Sequence, residues 1–201
     1  MKKYGLIIGL VIFPILVLSA CREKEKVDQG RVIAFDKTKG TLTLIRDKNN
    51  DSHFPDYSQL PPITYNLPED FLEKKEEIKV GLRMKLKVEN NQIIVYDPVI
   101  QNFKTLEYSL IDKKEGVFFD NPLVYDIENR KPKEFPIIDR ERKMITVYSR
   151  RQRILATFTL PDKYFNLPDY TWNAGDEVRI YFNQRKALRL INTTKLGFVK
   201  D

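Results

Sequence analysis

Two sets of segments in the chain match each other in the same order, and this internal repetition is the strongest constraint on the fold. The matching pairs are residues 32–45 with 136–148, 64–71 with 157–164, and 81–88 with 175–182. In the first pair, Asp36 corresponds to Asp139, and Thr43 corresponds to Thr146. Three matches in one order indicate a duplicated unit, with a longer loop around residues 47–62 in the first copy. Shared hairpin turn chemistry without common descent is the alternative.

Each copy has the pattern of a small β-barrel. Residues 84–88 (Met-Lys-Leu-Lys-Val) alternate apolar and polar, which is typical of a half-buried strand. Pro68 and Pro161 cannot lie inside a central strand, so each ends a third strand, and residues 69–78 are expected to form a short helix. Five strands with one short helix between the third and fourth fit a barrel of the OB type. The predicted fold is mainly β, with two related OB-like barrels; SH3-like barrels are the alternative.

The N-terminal segment has the order of an exported precursor. Lys2 and Lys3 precede an apolar run over residues 5–18, and small residues follow it. This run is shorter than the about 20 apolar residues that a membrane-spanning helix needs, and it contains Pro14. The next residues, Leu18-Ser19-Ala20-Cys21, resemble the lipobox of bacterial lipoproteins.

This resemblance implies that signal peptidase II removes residues 1–20 after the Cys21 thiol has received a diacylglyceryl group. Cys21, the only cysteine, then becomes the N-terminus and the membrane anchor, which leaves no disulfide and no cysteine-based metal site. Arg22, rather than Asp, follows the cysteine, which resembles the signal for outer-membrane delivery in bacteria with two membranes. We therefore expect a membrane-anchored lipoprotein that faces the periplasm or the cell exterior.

The domain organisation follows from these observations. It comprises a signal peptide (1–20), a tether (21–26), barrel copy one (27–97), a connector (98–133) and barrel copy two (134–201). Apolar and aromatic residues in the connector predict two extra strands, within 103–111 and 116–125, that pack across both barrels.

Positive charge is concentrated in the second half of the chain. Residues 22–110 contain 15 Lys and Arg against 15 Asp and Glu, whereas residues 111–201 contain 18 against 13. Much of the excess lies in the Arg-Arg-Gln-Arg turn at 150–153, and an aromatic cluster lies close to it in sequence. The residues predicted to bind an anionic partner are Arg150, Arg151, Arg153, Lys163, Tyr170 and Trp172.

Several kinds of partner fit basic residues beside aromatics. A small barrel of this kind can bind nucleic acid through phosphate contacts and base stacking, but an exported location argues against that partner. Lipid headgroups, an anionic envelope polymer or an acidic protein face satisfy the same electrostatics. In the plainer alternative, the arginines form a solvated hairpin turn and the aromatics belong to the core.

Signs of catalysis are scarce in the sequence. His53, the only histidine, lies in a polar loop, whereas a tight metal site needs three or four converging ligands. The glycines are isolated, so no Gly-rich phosphate loop is present. We therefore expect a binding or scaffolding module without metal or cofactor. The alternative function is an enzyme that acts on envelope glycan or lipid through a pair of carboxylates.

Overall fold

The computed structural model describes residues 25–51, 54–73 and 77–196. The predicted signal peptide, Cys21, most of the tether and His53 lie outside the described residues. Within these ranges, none of the helices is long and apolar enough to cross a membrane.

The protein is mainly β, as the sequence predicts. The strands are β1 (Lys26–Asp36), β2 (Thr41–Arg46), β3 (Gln59–Asn66), β4 (Arg83–Lys87), β5 (Gln92–Asp97), β6 (Asn102–Glu107), β7 (Ser109–Lys114), β8 (Tyr125–Asp126), β9 (Lys131–Pro132), β10 (Ile137–Asp139), β11 (Met144–Ser149), β12 (Ile154–Thr159), β13 (Glu177–Asn183) and β14 (Lys186–Asn192). The α-helices are α1 (Glu69–Glu73) and α2 (Thr193–Leu196), and short 3₁₀ helices span Val88–Asn90, Asp162–Asn166 and Asp169–Trp172.

Five strands form a barrel in the order β1-β13-β14-β3-β2. The ring closes between β14 and β3 through one parallel pair, Lys186 opposite Asn66, whereas the other neighbouring strands are antiparallel. The barrel core is mostly aliphatic, with two buried aromatic residues, Tyr65 and Phe71. Its buried aliphatic residues include Val32, Leu42, Leu44, Val178 and Ile180.

A second hydrophobic core lies between two open sheets, β10-β11-β12-β7 and β4-β5-β6. Ile93 and Val95 of β5 meet Val147 and Phe158 of the other sheet, and Trp172 is fully buried among them. Apolar side chains at alternate positions of these strands face one another. The opposite face of the β4-β5-β6 sheet is also apolar, because Met84 and Tyr96 pack there with Ile33 and Ile45 of the barrel strands in a third hydrophobic cluster.

The strand pairing crosses the predicted boundaries 27–97 and 134–201. The last hairpin, β13–β14, completes the barrel begun by β1–β3, so the first copy's barrel contains strands of the second copy. In the same way β4 and β5 of the first copy pack on β11 and β12 of the second. Both of these cores therefore contain strands from the two predicted copies, in the arrangement expected if related copies exchange their final hairpins.

Hydrogen bonds at matching positions support the duplication. Asp36 and Asp139 each accept, through Oδ1, the backbone N–H three residues further on, at 3.0 and 2.9 Å. Threonine hydroxyls also pair across equivalent strands: Thr43 with Thr64 and Thr146 with Thr157, each at 2.9 Å. Because these contacts involve different parts of each unit, shared turn chemistry alone does not account for them.

Two equivalent glycines touch where the exchanged hairpins separate from their own copies. A Cβ on Gly81 would lie 2.2 Å from the backbone nitrogen of Gly175, and one on Gly175 would lie 2.5 Å from the Val32 carbonyl oxygen. Gly175 also has a φ of +70°, which favours glycine. The absence of side chains at these two positions lets the two segments cross.

Of the two strands predicted in the connector, the first is present but divided into two, and the second is absent. Residues 102–114 form β6 and β7, which pair with β5 and β12 and so link the two open sheets. Residues 116–125 form turns, and only Tyr125 enters a strand, because Gly116 takes a φ of +69° and Asn121 caps a turn. Of the predicted helix at 69–78, α1 covers Glu69–Glu73, residues 74–76 lie outside the described residues, and residues 77 and 78 are not helical.

Candidate functional site

The Arg-Arg-Gln-Arg segment forms the tight loop of the β11–β12 hairpin. Ser149 pairs with Ile154, so the loop contains four residues, and the Arg153 N–H donates to the Arg150 carbonyl at 3.2 Å. Arg153 has a φ of +55°, in the left-handed region. The loop therefore holds Arg150, Arg151 and Arg153 within four consecutive positions at the end of a hairpin.

Two of these guanidinium groups lie over phenylalanine rings. The Arg150 guanidinium carbon is 5.4 Å from the ring centroid of Phe119, and that of Arg153 is 4.3 Å from Phe118. The Val117 N–H donates to the Arg153 carbonyl at 2.8 Å and holds this segment against the loop. Stacking on an aromatic ring orients the plane of a guanidinium group. We call Arg150, Arg151, Arg153, Phe118 and Phe119 the arginine-turn surface.

Arg83 adds a buried positive charge beneath this surface. Its side chain is only 8% exposed, with Nε donating to the Trp172 carbonyl at 2.9 Å and Nη2 to the Tyr148 carbonyl at 3.4 Å. Among the residues the structure describes, Arg83 forms no ion pair with a carboxylate. Burial lowers the pKa of Arg83, and the like charges of Arg31 and Arg151 lower it further. An arginine nevertheless stays charged at neutral pH.

Side chains cover the edge of β4 that faces away from β5. Arg31 Nη1 donates to the carbonyls of Arg83 and Met84 at 3.1 and 3.0 Å. Gln152, inside the arginine turn, donates through Nε2 to the Leu86 carbonyl at 3.0 Å. The arginine turn is thereby fixed against β4, which brings guanidinium groups from three separate parts of the chain together.

Arg31 also covers a buried tyrosine. Its guanidinium lies 4.4 Å from the ring centroid of Tyr57. Burial raises the pKa of Tyr57 to about 12. Glu177 lies opposite Arg31 in the β1–β13 register, but its carboxylate accepts a hydrogen bond from Gln29 Nε2 at 2.6 Å. The Glu177 carboxylate therefore joins two strands of the barrel, β1 and β13, through Gln29.

The structure separates the six residues predicted from sequence. Lys163 lies beyond the far end of β12, roughly 20 Å along the strand from the arginine turn, and its Nζ is 5.1 Å from the Tyr164 ring centroid. Trp172 is fully buried and contributes its carbonyl to Arg83. Tyr170 is 45% exposed but lines a different cavity, of about 370 Å³, together with Tyr96. Only the three arginines lie in one place.

Sequence reasoning did not identify Arg83, Phe118 or Phe119. Arg83 lies on the polar side of an alternating strand, and this pattern predicts an exposed side chain. The side chain is buried because it contacts the Trp172 carbonyl, 89 residues away in the sequence. Phe118 is 50% exposed and lies in the connector, distant in sequence from the turn that it supports. No local pattern marks either position.

The buried carboxylates hold the fold together. Asp47 accepts three backbone N–H groups of its own loop at 2.7 to 3.0 Å. Asp176 accepts the Lys79 N–H and Asn192 Nδ2, at 2.9 and 2.8 Å. Neither cavity described in the structure is lined by two carboxylates. Across the described ranges, no three His, Cys, Asp or Glu side chains are grouped so that they could hold a metal ion.

Comparison with known proteins yields a family but no function. A family model described as "Domain of unknown function (DUF4881)" matches residues 23–201. No curated protein and no solved structure matches the chain.

Proposed function

Because this chain belongs to the DUF4881 family, whose description states no activity, we propose its function from sequence and geometry: a lipid-anchored envelope protein that binds an anionic partner through the arginine-turn surface. Residues 18–21, which resemble a lipobox, support the anchor. The barrel, in which α1 follows the third strand, supports an OB-like rather than an SH3-like architecture.

The short tether supports a position close to the membrane. β1 begins at Lys26, five residues after Cys21. Five extended residues span about 17 Å, so an anchor at Cys21 keeps the barrel next to the lipid headgroups. The proposed location is the membrane surface that faces the periplasm or the exterior, and in a bacterium with two membranes it is the outer membrane.

The observation that carries the binding proposal is the buried charge of Arg83, which bonds to the Tyr148 carbonyl just before the arginine turn. Arg83 is a buried cation whose partners are carbonyl groups, and its charged neighbours Arg31 and Arg151 are of the same sign. Burying a charge without an opposite charge is costly, and nearby like charges add to the cost. An anion bound at Arg151 would reduce this repulsion. The cluster is therefore arranged better for a bound anion than for an empty solvated turn.

The chemistry of the site selects the class of partner. Guanidinium groups bind carboxylate and phosphate in a planar, two-pronged geometry, and three of them in one turn favour a multivalent anion. A phosphorylated or carboxylated envelope polymer, an acidic protein face or an anionic membrane surface meets this requirement.

The test removes the three charges and measures binding to a defined polyanion. The variant Arg150→Ser, Arg151→Ser, Arg153→Ser is titrated with long-chain polyphosphate at several salt concentrations, using the full chain in neutral phosphatidylcholine vesicles. We expect at least about a tenfold loss of affinity and a weaker dependence on salt, because fewer counterions are exchanged.

A matched variant separates this surface from overall charge. Arg130→Ser, Arg140→Ser, Arg142→Ser removes the same number of arginines from other exposed turns. There Arg140 forms an exposed ion pair with Asp169 and donates to the Phe165 carbonyl, and Arg142 forms an exposed ion pair with Asp139. It should bind polyphosphate like the unaltered protein. Equal binding by all three proteins would refute the proposed surface, and salt-independent binding would favour a structural subunit that associates through apolar contacts.

A further inference from the structure

A second positively charged site lies against the barrel, apart from the arginine turn. It is a cavity of about 500 Å³ formed by the first residues of β1, by β3 and by the β13–β14 turn. Lys26, Arg46 and Arg185 line it together with a single carboxylate, Asp28. We call it the barrel cavity. Lys26 and Arg185 are exposed, so solvent reaches it.

The charges of the barrel cavity are not balanced within the protein. Asp28 accepts a short hydrogen bond from the Tyr65 hydroxyl. Lys26, Arg46 and Arg185 form no ion pair with any carboxylate that the structure describes. Arg46 Nε is buried and has no hydrogen-bond partner among the described residues, although a buried N–H normally has one. Three cations and an unsatisfied donor indicate an anionic ligand.

The walls of the barrel cavity are apolar and aromatic. The Tyr65 and Phe182 rings meet edge to face, with centroids 4.9 Å apart, and Ile63 lies beside them. Burial and the Asp28 carboxylate raise the pKa of Tyr65, which keeps its hydroxyl protonated as a donor to Asp28. A volume of this size suits an organic ligand, and an inorganic anion alone would leave the apolar wall uncovered.

We propose that the barrel cavity binds an organic phosphate ester, with its phosphate among Lys26, Arg46 and Arg185 and its apolar part against Tyr65 and Phe182. A membrane phospholipid and a soluble phosphate ester share this chemistry. The position of Lys26, five residues from the proposed anchor, favours the lipid, and that preference alone rests on the anchor.

Arg185 permits a test that leaves folding intact. Gln184 and Arg185 form the two-residue β13–β14 turn, and both have positive φ, 47° and 67°. Glycine is favoured at the second position of such a turn, so Arg185→Gly removes the charge without straining the hairpin. Arg130→Gly is the matched control, because it also replaces an exposed arginine of positive φ, 50°, in another turn.

Two probes distinguish the source of the ligand. Phenyl phosphate is titrated into the full chain in phosphatidylcholine vesicles by calorimetry, with inorganic phosphate as the comparison. In parallel, native mass spectrometry follows phosphatidylglycerol retained by the full chain after release from mixed phosphatidylcholine and phosphatidylglycerol membranes. We expect phenyl phosphate to bind more tightly than inorganic phosphate, and Arg185→Gly to lose about tenfold in affinity while Arg130→Gly does not.

Each outcome decides a part of the proposal. If the unaltered protein retains phosphatidylglycerol and Arg185→Gly does not, the ligand is a membrane lipid. If phenyl phosphate binds but no lipid is retained, the ligand is a soluble phosphate ester. The proposal is overturned if neither probe binds, if inorganic phosphate binds as tightly as phenyl phosphate, or if Arg185→Gly binds like the unaltered protein. Loss of polyphosphate binding in the arginine-turn variant is a separate result, so the two sites fail independently.

Discussion

The connection between β2 and β3 and the connection between β11 and β12 occupy equivalent places in the two copies, yet their chemistry is opposite. Both hairpins carry the same threonine hydroxyl pair. In the first copy, a long loop folds over the buried carboxylate of Asp47; in the second, a four-residue loop carries three arginines. The two hairpins share this strand framework, whereas the first loop is held by a buried carboxylate and the second presents three arginines.

The largest expected effect on stability is at the close contact between Gly81 and Gly175, which occupy matching positions in the two copies. Gly81→Ala places a Cβ against the backbone of Gly175 and Asn173, which cannot move aside as a flexible side chain can. We expect a loss of about 4 kcal/mol or more in the free energy of unfolding, measured by denaturant titration. Gly175→Ala should be at least as damaging, because an added Cβ would lie 2.5 Å from the Val32 carbonyl oxygen and the φ of +70° also disfavours alanine.

Gly116→Ala is the control for the glycine prediction. Gly116 has a φ of +69° but nothing within 4 Å of an added Cβ, so only the backbone preference is lost, about 1 kcal/mol. If Gly81→Ala also lowered the free energy of unfolding by only about 1 kcal/mol, the backbone segments at Gly81 and Gly175 would be less tightly packed than these distances indicate.

A smaller loss tests the structural role of the first loop. Asp47→Ala removes the acceptor of three backbone N–H groups and should cost about 3 kcal/mol in the free energy of unfolding. Asp112→Ala, at an exposed ion pair in β7, should cost less than about 1 kcal/mol. Polyphosphate binding by Asp47→Ala should be unchanged under conditions where it is folded, and a loss there would contradict the division of roles between the loops.

The smallest effect concerns the arginine turn itself. Arg153→Gly relieves the left-handed backbone of Arg153 but removes its stacking on Phe118. Arg130→Gly relieves a similar backbone without breaking any ring contact found among the described residues. We expect Arg130→Gly to stabilise the protein by about 0.5 kcal/mol and Arg153→Gly to change its melting temperature less. Equal shifts in calorimetry would mean that the Phe118 contact contributes nothing to stability.

The sequence predicted local structure better than partner choice between strands. Alternation, the Leu-Pro steps and the turn residues indicated a mainly β chain, and the match of Asp36 with Asp139 indicated the repeat. The exchange of hairpins was not predictable, since β13 satisfies the same apolar alternation whether it packs on its own copy or on the other. The sequence predicted the charged turn from its three arginines. It did not predict that Arg83 and Phe118 lie beside this turn, because their contacts with the β11–β12 hairpin are long-range in sequence.

The exchanged hairpins also have a consequence for the order in which the chain can fold. Gln29 and Glu177, hydrogen-bonded inside the barrel, are separated by 148 positions, so the barrel cannot close until β13 has formed. Such long-range closure makes folding slow relative to local contacts. A nascent chain lacking β13 and β14 has no complete barrel that could block passage through a secretion channel, which is the state that the proposed export requires.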